Sequence, residues 1–345
     1  MKLAYIGTGK IIADALNAVS ALPRIGSQAI FARQRSLPKA RELANQYHIP
    51  EVYTDYAQLL RETDADTVYI GLINSAHYPY AKEALLAGKH VILEKPLTGF
   101  YAQAKELMTI AQERGLHLLE AITILHNDIL PKLKEHLPAL GPIRMALLNY
   151  SQYSSRYDSY AQGSVEHAFD PAYYGGALFD INIYNVHYCA ALFGRPLKVS
   201  YLPNIGFNGI DTSGVLTLSY AGFTAVCCAA KDSDSRCFVS VQGEQGTLLI
   251  DGKPNVAPNL SVTLIDPAGG TVRDAAGAEV RAARTVHYEA APVHHRMCPE
   301  FAAFARIIDE NDFARSTALL EHSLVVLEIL EQARTQAGIE FPISA

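Results

Sequence analysis

The chain has 345 residues, of which 49% are hydrophobic and 19% are charged, and its formal net charge is -6. This composition supplies a large core and excludes a mainly disordered chain, while the length predicts about two domains. The acidic balance excludes a general nucleic-acid binder, and no apolar run approaches the roughly 18 residues of a membrane-spanning helix. The short apolar N-terminus runs into a glycine turn, so we expect a cytoplasmic protein without a signal peptide.

Short β-type runs alternate with helical stretches over the first third of the chain. The sequence predicts strands at 2–6, 29–32, 52–53, 67–72, 90–93 and 116–121, and helices at 10–21, 37–47, 56–61, 80–87 and 101–114. Strands that alternate with helices favour a doubly wound parallel sheet, as in a Rossmann domain. The apolar run at 67–72 is typical of a strand that is buried on both faces.

Longer β-type runs dominate the remainder of the chain. The sequence predicts strands at 143–153, 214–220, 224–230, 238–242, 247–250 and 260–265, and helices at 129–136, 177–192, 299–309 and 314–337. This pattern indicates an α+β domain built on a large, mostly antiparallel open sheet with flanking helices. We therefore expect two domains, at residues 1–121 and 122–345.

The cysteines give no sign of a metal centre. The chain has five, and none of them forms a C-x-x-C pair. Cys227 and Cys228 are adjacent in an apolar run and should point to opposite faces of a strand. We expect buried free thiols and no metal site.

A glycine turn follows the first predicted strand and opens the first helix. Its first glycine permits a tight turn, and its second lets a pyrophosphate approach the helix N-terminus, where free N–H groups favour anions. The third position of the G-x-G-x-x-G pattern is Ile12, so a merely tight turn is the alternative. The segment predicts a dinucleotide site formed by Gly7, Thr8, Gly9, Lys10 and Ile11.

The end of the second predicted strand carries cations instead of an acid. Between Asp14 and Glu42 there is no Asp or Glu, although NAD sites usually place one about 20 residues after the glycine turn. The chain instead has Arg33, Arg35 and Ser36 at this place, which suit the 2′-phosphate of NADP. We therefore expect NADP rather than NAD, and a solvated basic loop is the alternative.

A Glu-Lys-Pro sequence ends the predicted strand at 90–93. Pro96 stops the strand and leaves Lys95 at the carboxyl edge of the sheet, where ligands bind. Together with Glu94, these residues make the chain resemble the Gfo/Idh/MocA (glucose–fructose oxidoreductase, inositol dehydrogenase and MocA) family over essentially its whole length. The resemblance implies an NAD(P)-dependent oxidoreductase that transfers a hydride between a nicotinamide cofactor and a sugar, polyol or related hydroxy or keto compound.

Two further segments carry this resemblance. Residues 73–77 resemble the family's Thr-Pro-Asn-x-x-His segment, with isoleucine in place of proline, and this implies a loop over the nicotinamide ribose. Residues 175–184 resemble its Gly-Gly-x-Leu-x-Asp-x-Gly-x-His/Tyr motif, with asparagine in place of the last glycine. That motif implies that Asp180 and Tyr184 point at the substrate, opposite Lys95. The cofactor contacts that the resemblance adds are Ile73, Asn74, His77, Glu94, Lys95 and Pro96.

Hydride transfer needs a group that gives or takes a proton at the carbinol oxygen. Asp180 and Tyr184 are four residues apart and share one face of a predicted helix. A nearby ammonium group favours the phenolate, so we expect Lys95 to lower the pKa of Tyr184 from its usual value of about 10. We predict Tyr184 as the acid/base, Lys95 as its electrostatic partner and Asp180 as the orienting group, and exchanged roles for Tyr184 and Lys95 remain open.

Three further residues are expected near the substrate. His187 follows Tyr184 by three residues and could take over proton transfer, although a hydrogen-bonded core histidine is the alternative. His126 follows the sixth predicted strand and could border the substrate cleft. Arg156 lies in a Tyr- and Ser-rich segment at 150–160, where strand alternation would turn one set of hydroxyls toward a polyol or sugar. Arg156 itself could bind a carboxylate or phosphate, and the solvent or subunit face of the sheet is the alternative for this segment.

The resemblance also implies a homodimer or homotetramer formed through the second sheet, with a small-molecule substrate and no nucleic-acid or membrane partner. Two other functions remain open: a non-catalytic regulator that binds the dinucleotide, and a redox-cycling NAD-dependent glycosidase of the same fold. The joint presence of Lys95, Asp180 and Tyr184 argues against the regulator. Net cofactor turnover distinguishes the three, because only a dehydrogenase consumes free cofactor stoichiometrically.

Overall fold

A six-stranded parallel sheet occupies the first third of the chain in the computed structural model, which describes residues 1–342. Its strands are β1 (Lys2–Ile6), β2 (Gly26–Phe31), β3 (Glu51–Tyr53), β4 (Thr67–Ile70), β5 (His90–Glu94) and β6 (Leu118–Ala121). The helices between them are α1 (Lys10–Ser20), α2 (Leu37–Gln46), α3 (Tyr56–Glu62), α4 (His77–Leu86) and α5 (Tyr101–Glu113). The strand order is β3-β2-β1-β4-β5-β6, and every neighbouring pair is parallel. The predicted doubly wound sheet is therefore confirmed.

This strand order opens a crevice at the carboxyl edge of the sheet. Strand β1 lies between β2 and β4, so the connections on its two sides diverge there. The turn after β1 closely approaches the turn after β4. Gly7 has a φ of +123°, and a Cβ atom at this position would lie 2.9 Å from the carbonyl oxygen of Gly71. Both the φ and the close contact require glycine at position 7.

An eight-stranded sheet forms most of the second part of the chain. Its strands are β7 (Ile143–Ser151), β8 (Lys198–Ile205), β9 (Asp211–Tyr220), β10 (Phe223–Ala230), β11 (Phe238–Gly243), β12 (Gly246–Asp251), β13 (Asn259–Ile265) and β16 (Ala283–Glu289), while β14 (Thr271–Arg273) and β15 (Glu279–Arg281) form a separate hairpin. The helices are α6 (Ile129–His136), α7 (Tyr157–Ala161), α8 (Ile183–Phe193), α9 (Cys298–Asp309) and α10 (Phe313–Gln336). The strand order is β16-β13-β12-β11-β7-β10-β9-β8. Only β7 and β10 pair in parallel, which confirms the predicted, mostly antiparallel sheet.

The two edge strands of this sheet, β8 and β16, are absent from the predicted strands. Strand β8 contains Pro203, and Leu202 within it is 72% exposed. Nearly all residues of β16 are exposed. An edge strand pairs on one side only and tolerates proline, so neither segment carries the alternating apolar pattern by which a strand is predicted.

The strand predicted at 143–153 ends at Ser151, so strand alternation does not extend over the Tyr- and Ser-rich segment at 150–160. Ser151 pairs with Ala230, the last residue of β10, so the ladder ends there. The chain then turns at Ser154, whose carbonyl accepts a hydrogen bond from the Tyr157 N–H at 2.9 Å, and it enters the short helix α7. Beyond Ser151 the Tyr- and Ser-rich segment is therefore a turn and a helix, and its side chains there do not alternate between two faces of a sheet.

Helix α9 packs against the first sheet, although it lies almost 180 residues after the last strand of that sheet. Phe301 and Phe304 are fully buried together with Leu3 and Tyr5. The ring of Phe301 lies 5.2 Å from that of Tyr69 on β4. The predicted boundary assigns this helix to residues 122–345, whereas its apolar face completes the core around the first sheet.

Two kinds of feature are absent from residues 1–342. No helix there is long and apolar enough to cross a membrane. No group of three or more His, Cys, Asp or Glu side chains there is arranged to hold a metal ion.

Candidate active site

A cavity of about 460 Å³ lies between the carboxyl edge of the first sheet and the segment that precedes helix α8. The amide of Asn74 joins its two walls, since Nδ2 donates a hydrogen bond to the carbonyl of Tyr174 at 2.9 Å. The predicted site residues that line the cavity are Gly7, Thr8, Gly9, Lys10, Ile11, Arg33, Ser36, Ile73, Asn74, Arg156 and Asp180. His167 and Tyr173 also line it and were not predicted.

The glycine turn forms one end of this cavity at the N-terminus of helix α1. Gly9 is the N-cap residue, no side chain caps the helix there, and its first turn contains no acidic residue. A Cβ atom on Gly9 would meet no atom within 4 Å, so the space beside the backbone is open. Free N–H groups at an open helix N-terminus bind anions, and this arrangement fits the pyrophosphate of a dinucleotide.

The wall beyond the glycine turn fits an adenosine carrying a 2′-phosphate. Phe31, Ala32 and Tyr80 give it an apolar surface, and Arg33 and Ser36 supply a cation and a hydroxyl. Among the lining residues the only carboxylate is Asp180, which lies in the other domain. Arg35 is exposed on the same loop but does not line the cavity.

Glu94, Pro96 and His77 lie behind the cavity wall and hold the loop that carries Lys95. Glu94 is buried and accepts hydrogen bonds from the hydroxyl of Tyr69 at 2.6 Å and from the Lys95 N–H at 3.2 Å. His77 is fully buried, and its Nδ1 lies 2.9 Å from the carbonyl oxygen of Pro96. Burial lowers the pKa of His77 to about 4, so the ring is neutral. These three predicted cofactor contacts are therefore supports of the Lys95 loop in this structure.

Asp180 lies between two lysines at the inner end of the cavity. Lys95 Nζ donates to the backbone carbonyl of Asp180 at 2.6 Å and to its Oδ1 at 3.0 Å. Lys231 Nζ lies 2.7 Å from Oδ2 of the same carboxylate. Lys231 was not predicted, because the only signal in the sequence is a lysine directly after an apolar strand.

Both members of the Lys95–Asp180 pair are ionised at neutral pH. Burial by itself raises the pKa of Asp180, but Lys231 and Lys95 outweigh it and hold that pKa well below its usual range. Burial likewise disfavours the ammonium form of Lys95, but the Asp180 carboxylate outweighs it and raises the pKa above its ordinary value. Lys95 is therefore a fixed positive charge and a weak proton donor.

The residues that carry Asp180 form a π-helical turn, Leu178–Asn182, directly before α8. The sequence predicted an uninterrupted helix over 177–192. The Asp211 side chain accepts a hydrogen bond from the Leu178 N–H at 2.6 Å and so anchors the start of this turn. A π-turn contains one more residue than an α-helical turn and changes the backbone hydrogen bonding of the helix. In this turn the backbone carbonyl of Asp180 accepts a hydrogen bond from Lys95 Nζ.

Tyr184 lies one residue into α8 and is 7% exposed. Lys95 Nζ is 5.3 Å from the centroid of its ring. The predicted lowering of its pKa is not found. Burial raises the pKa of Tyr184 above its ordinary value of 10, and Lys95 and Arg296 offset this only in part. The phenol is therefore protonated at neutral pH.

Four of the predicted catalytic and substrate residues do not line the cavity: Lys95, Tyr184, His187 and His126. Lys95 nevertheless bonds Asp180, which does line it, and lies beside Tyr184. His187 is fully buried, with Nδ1 3.0 Å from Nε2 of His322 and with Nε2 3.6 Å from a carboxylate oxygen of Glu120. The ring of His126 packs edge-on against Phe304, with ring centroids 4.9 Å apart, and burial lowers its pKa to about 3. Both histidines have the geometry of core residues.

Arg156 does line the cavity, where its Nε donates to the carboxylate of Glu166 at 2.9 Å. The Arg156 side chain is 44% exposed, and one bond from Nε leaves the other guanidinium donors available to another group. Of the three predicted substrate residues, Arg156 is the one whose position allows contact with a molecule bound in the cavity.

Comparison with known proteins identifies the family of the chain. Residues 1–121 match the family model described as oxidoreductase family, NAD-binding Rossmann fold, and residues 138–249 match the GFO/IDH/MocA C-terminal domain. The chain is 30% identical to scyllo-inositol 2-dehydrogenase (NADP(+)) IolU of Bacillus subtilis over 99% of this chain and 98% of that protein. The chain belongs to the GFO/IDH/MocA family of oxidoreductases. It is therefore an NAD(P)-dependent dehydrogenase or reductase, as predicted.

Two further proteins are similar to this chain. Trans-1,2-dihydrobenzene-1,2-diol dehydrogenase of Oryctolagus cuniculus is 31% identical over 70% of this chain and 72% of that protein. A 3-ketoreductase from Actinomadura kijaniata, solved with NADP and TDP-benzene, is 24% identical and superposes with a TM-score of 0.82 over 97% of both chains. This superposition confirms the predicted fold class.

Proposed function

We propose that the chain is an NADP-dependent oxidoreductase that interconverts an alcohol and a ketone on a sugar or cyclic polyol. The observation that carries this proposal is a single cavity with an anion-binding helix N-terminus at one end and, at the other, the Asp180 side chain, which forms an ion pair with Lys95. The names of two relatives support the substrate class, since both an inositol and a dihydrobenzene-diol are rings that carry neighbouring hydroxyls.

The cofactor would lie along the first sheet. The N–H groups that open helix α1 would bind its pyrophosphate, and Arg33 with Ser36 would bind a 2′-phosphate. Ile73 and Asn74 would border the part of the molecule that approaches the second domain. When bound, the nicotinamide supplies or accepts the hydride.

Tyr184, Lys95 and Asp180 would handle the proton and the charge at the substrate oxygen. The neutral phenol of Tyr184 is the proton donor when a ketone is reduced, because burial keeps it protonated. The Lys95 ammonium stabilises the negative charge that develops on the same oxygen. Asp180 orients Lys95 through two hydrogen bonds. The raised pKa of Lys95 favours this division of roles over the exchanged one.

The lining of the inner cavity suits a molecule with several hydroxyl groups. Hydrogen-bond donors and acceptors around such a molecule would come from Arg156, His167, Tyr173 and Asn74, and an aromatic surface would contact the face of its ring.

The predicted homodimer or homotetramer and the predicted cytoplasmic location stay predictions.

Titration with NADPH and NADH, followed by nicotinamide fluorescence, tests the cofactor part of the proposal. We expect tighter binding of NADPH. Replacement Arg33→Ala should weaken NADPH binding by about 10-fold and leave NADH binding unchanged, because it removes a charged contact worth about 1.5 kcal/mol. The matched control is Arg35→Ala, on the same loop outside the cavity. Tighter NADH binding in the wild-type protein would refute the choice of NADP.

Turnover then separates the proposed activity from its two rivals. With inositols and other cyclic polyols, a dehydrogenase reduces one NADP per alcohol oxidised. A redox-cycling glycosidase would cleave glycosides without net change in cofactor, and a regulator would bind NADPH without any turnover.

A further inference from the structure

We propose that Lys231 is a positioning residue that neutralises the Asp180 carboxylate and thereby leaves the charge of Lys95 available to the reacting oxygen. This proposal rests on the proposed function and adds a residue to its machinery. Lys231 follows strand β10 directly and lies outside every motif in the sequence.

The position of Lys231 is fixed by its own backbone. Its N–H donates to the carbonyl of Thr212 at 2.8 Å, and its carbonyl accepts from the Ser154 N–H at 2.9 Å. The backbone of Lys231 is therefore hydrogen-bonded to the segments on both sides of β10. A side chain that starts from such an anchored backbone loses little further entropy when its end group is bound.

The ammonium group of Lys231 is directed at Asp180. The side chain is only 3% exposed, and Nζ lies 2.7 Å from Asp180 Oδ2. Nζ also donates to the carbonyl of Ala168 at 2.7 Å and lies 4.4 Å from the centroid of the Phe169 ring. These contacts compensate for the burial of the Lys231 ammonium group. The Asp180 carboxylate is the only one of the three contact partners that carries a charge.

The charge balance of the three groups is the reason for the proposal. Lys95 and Asp180 alone form a neutral pair, and a neutral pair gives little stabilisation to an alkoxide. With Lys231 the same site holds two positive charges and one negative charge, 3.0 and 2.7 Å from the shared carboxylate. The excess positive charge lies beside the cavity, where a developing negative charge is stabilised most.

The other titratable groups around Asp180 do not supply this charge. Burial lowers the pKa of His167, which keeps that ring neutral, and burial raises the pKa values of Tyr184 and Tyr150, which keeps both phenols neutral. The phenols and the ring of His167 therefore add no positive charge beside Asp180.

Arg156 lines the same cavity, but its charge is paired with that of Glu166. Glu94 also acts on Lys95, and burial raises the pKa of the Glu94 carboxyl.

A double-mutant cycle tests whether Lys231 acts through Asp180. Replacement Lys231→Met should lower kcat by ~100-fold and change KM by less than about threefold, and Lys231→Arg should recover most of the loss because it keeps the charge. In an Asp180→Asn background, Lys231→Met should add no further loss. An equal loss in both backgrounds would overturn the proposal.

A second readout needs no turnover. In the NADP-saturated protein labelled with ¹³C at the aspartate carboxyls, the Asp180 signal, assigned with Asp180→Asn, should remain that of an ionised carboxylate down to the lowest pH at which the wild type is folded. In Lys231→Met the same signal should titrate within the folded range. The sign follows because removal of a neighbouring cation makes the carboxylate easier to protonate. Unchanged titration would refute the role of Lys231, even if the wild-type protein oxidises polyols.

The same readout separates failure of this proposal from failure of the proposed function. A wild-type protein that binds NADPH but turns over no sugar or polyol would refute the function, while the shifted titration would still support the Lys231–Asp180 coupling. If Lys231→Met does not fold, Lys231→Gln removes the charge and keeps a polar N–H donor group on a shorter side chain, and the same expectations apply to it.

Discussion

At the scale of single residues, the most specific prediction concerns the hydroxyl group of Tyr184. It lies beside Lys95 and is almost fully buried. Replacement Tyr184→Phe removes only the hydroxyl, and we expect kcat to fall by about 10²- to 10⁴-fold while the Kd for NADPH stays constant. Steady-state kinetics and fluorescence titration measure these two quantities.

The matched control for this replacement is Tyr188→Phe, one helical turn further along α8. Tyr188 is fully buried, and its hydroxyl donates to the carbonyl of Pro254 at 3.2 Å. Its loss should cost about 1 kcal/mol of unfolding free energy and leave kcat unchanged. A Tyr184→Phe protein with kcat within twofold of the wild type would exclude Tyr184 as the acid/base.

The protonation of Tyr184 predicts different pH profiles for the two reaction directions. Alcohol oxidation needs the phenolate, and burial raises the pKa of Tyr184 above 10. The rate of oxidation should therefore rise about tenfold per pH unit from neutral to alkaline pH, whereas ketone reduction, which needs the phenol, should stay level. Initial rates from pH 6 to pH 9.5 measure both. A plateau in the oxidation rate near neutral pH would contradict this assignment.

The types of residue in the site were predictable, but several of their environments were not. The sequence indicates Lys95, Asp180 and Tyr184 through two short motifs that resemble those of the family. The net direction of the Tyr184 pKa depends on how burial compares with the effect of Lys95, and burial is a property of the packed molecule. Lys231 comes from a distant strand, so no local pattern could join it to Asp180.

At the scale of elements, the start of helix α8 depends on a glycine. Gly176 has a φ of +99°, and a Cβ atom there would overlap Oδ1 of Asp211, the side chain that anchors the Leu178 N–H. Replacement Gly176→Ala should therefore cost about 3 kcal/mol of unfolding free energy, from backbone strain and the lost anchor together. Urea unfolding measures this loss.

Gly194, at the other end of the same helix, provides the control. It also has a positive φ, +73°, but a Cβ atom there would meet no atom within 4 Å. A ψ of -149° places Gly194 close to a region that is essentially restricted to glycine, so Gly194→Ala should cost about 2 kcal/mol from the backbone conformation alone. Equal losses in the two variants would show that the contact with Asp211 does not matter.

The elements themselves were predicted unequally. Buried strands such as β1 and β4 have continuous apolar runs, and their positions follow from the sequence. The edge strands β8 and β16 face solvent and carry no such pattern. The π-turn at Leu178–Asn182 is fixed by side chains of other elements, among them Asp211, so a helical pattern cannot reveal it.

At the scale of the whole molecule, the first sheet depends on a helix near the end of the chain. Phe301 of α9 is fully buried against Tyr69. Replacement Phe301→Ala should lower the unfolding free energy by about 3 to 5 kcal/mol, because it leaves a cavity in that core. Phe207→Ala, at a side chain that is 64% exposed, should cost far less. Chemical denaturation compares the two, and similar losses would contradict the proposed contribution of α9.

The sequence by itself determined the two kinds of sheet, the cofactor turn and the chemical types at the active site. These features follow from local apolar periodicity, from glycines that a turn requires, and from motifs that place reactive residues at strand ends. Tertiary structure decided which charges meet, which histidines are buried and which core receives α9. Such outcomes depend on contacts between residues far apart in the chain, where burial and neighbouring charge set the protonation and the role of each side chain.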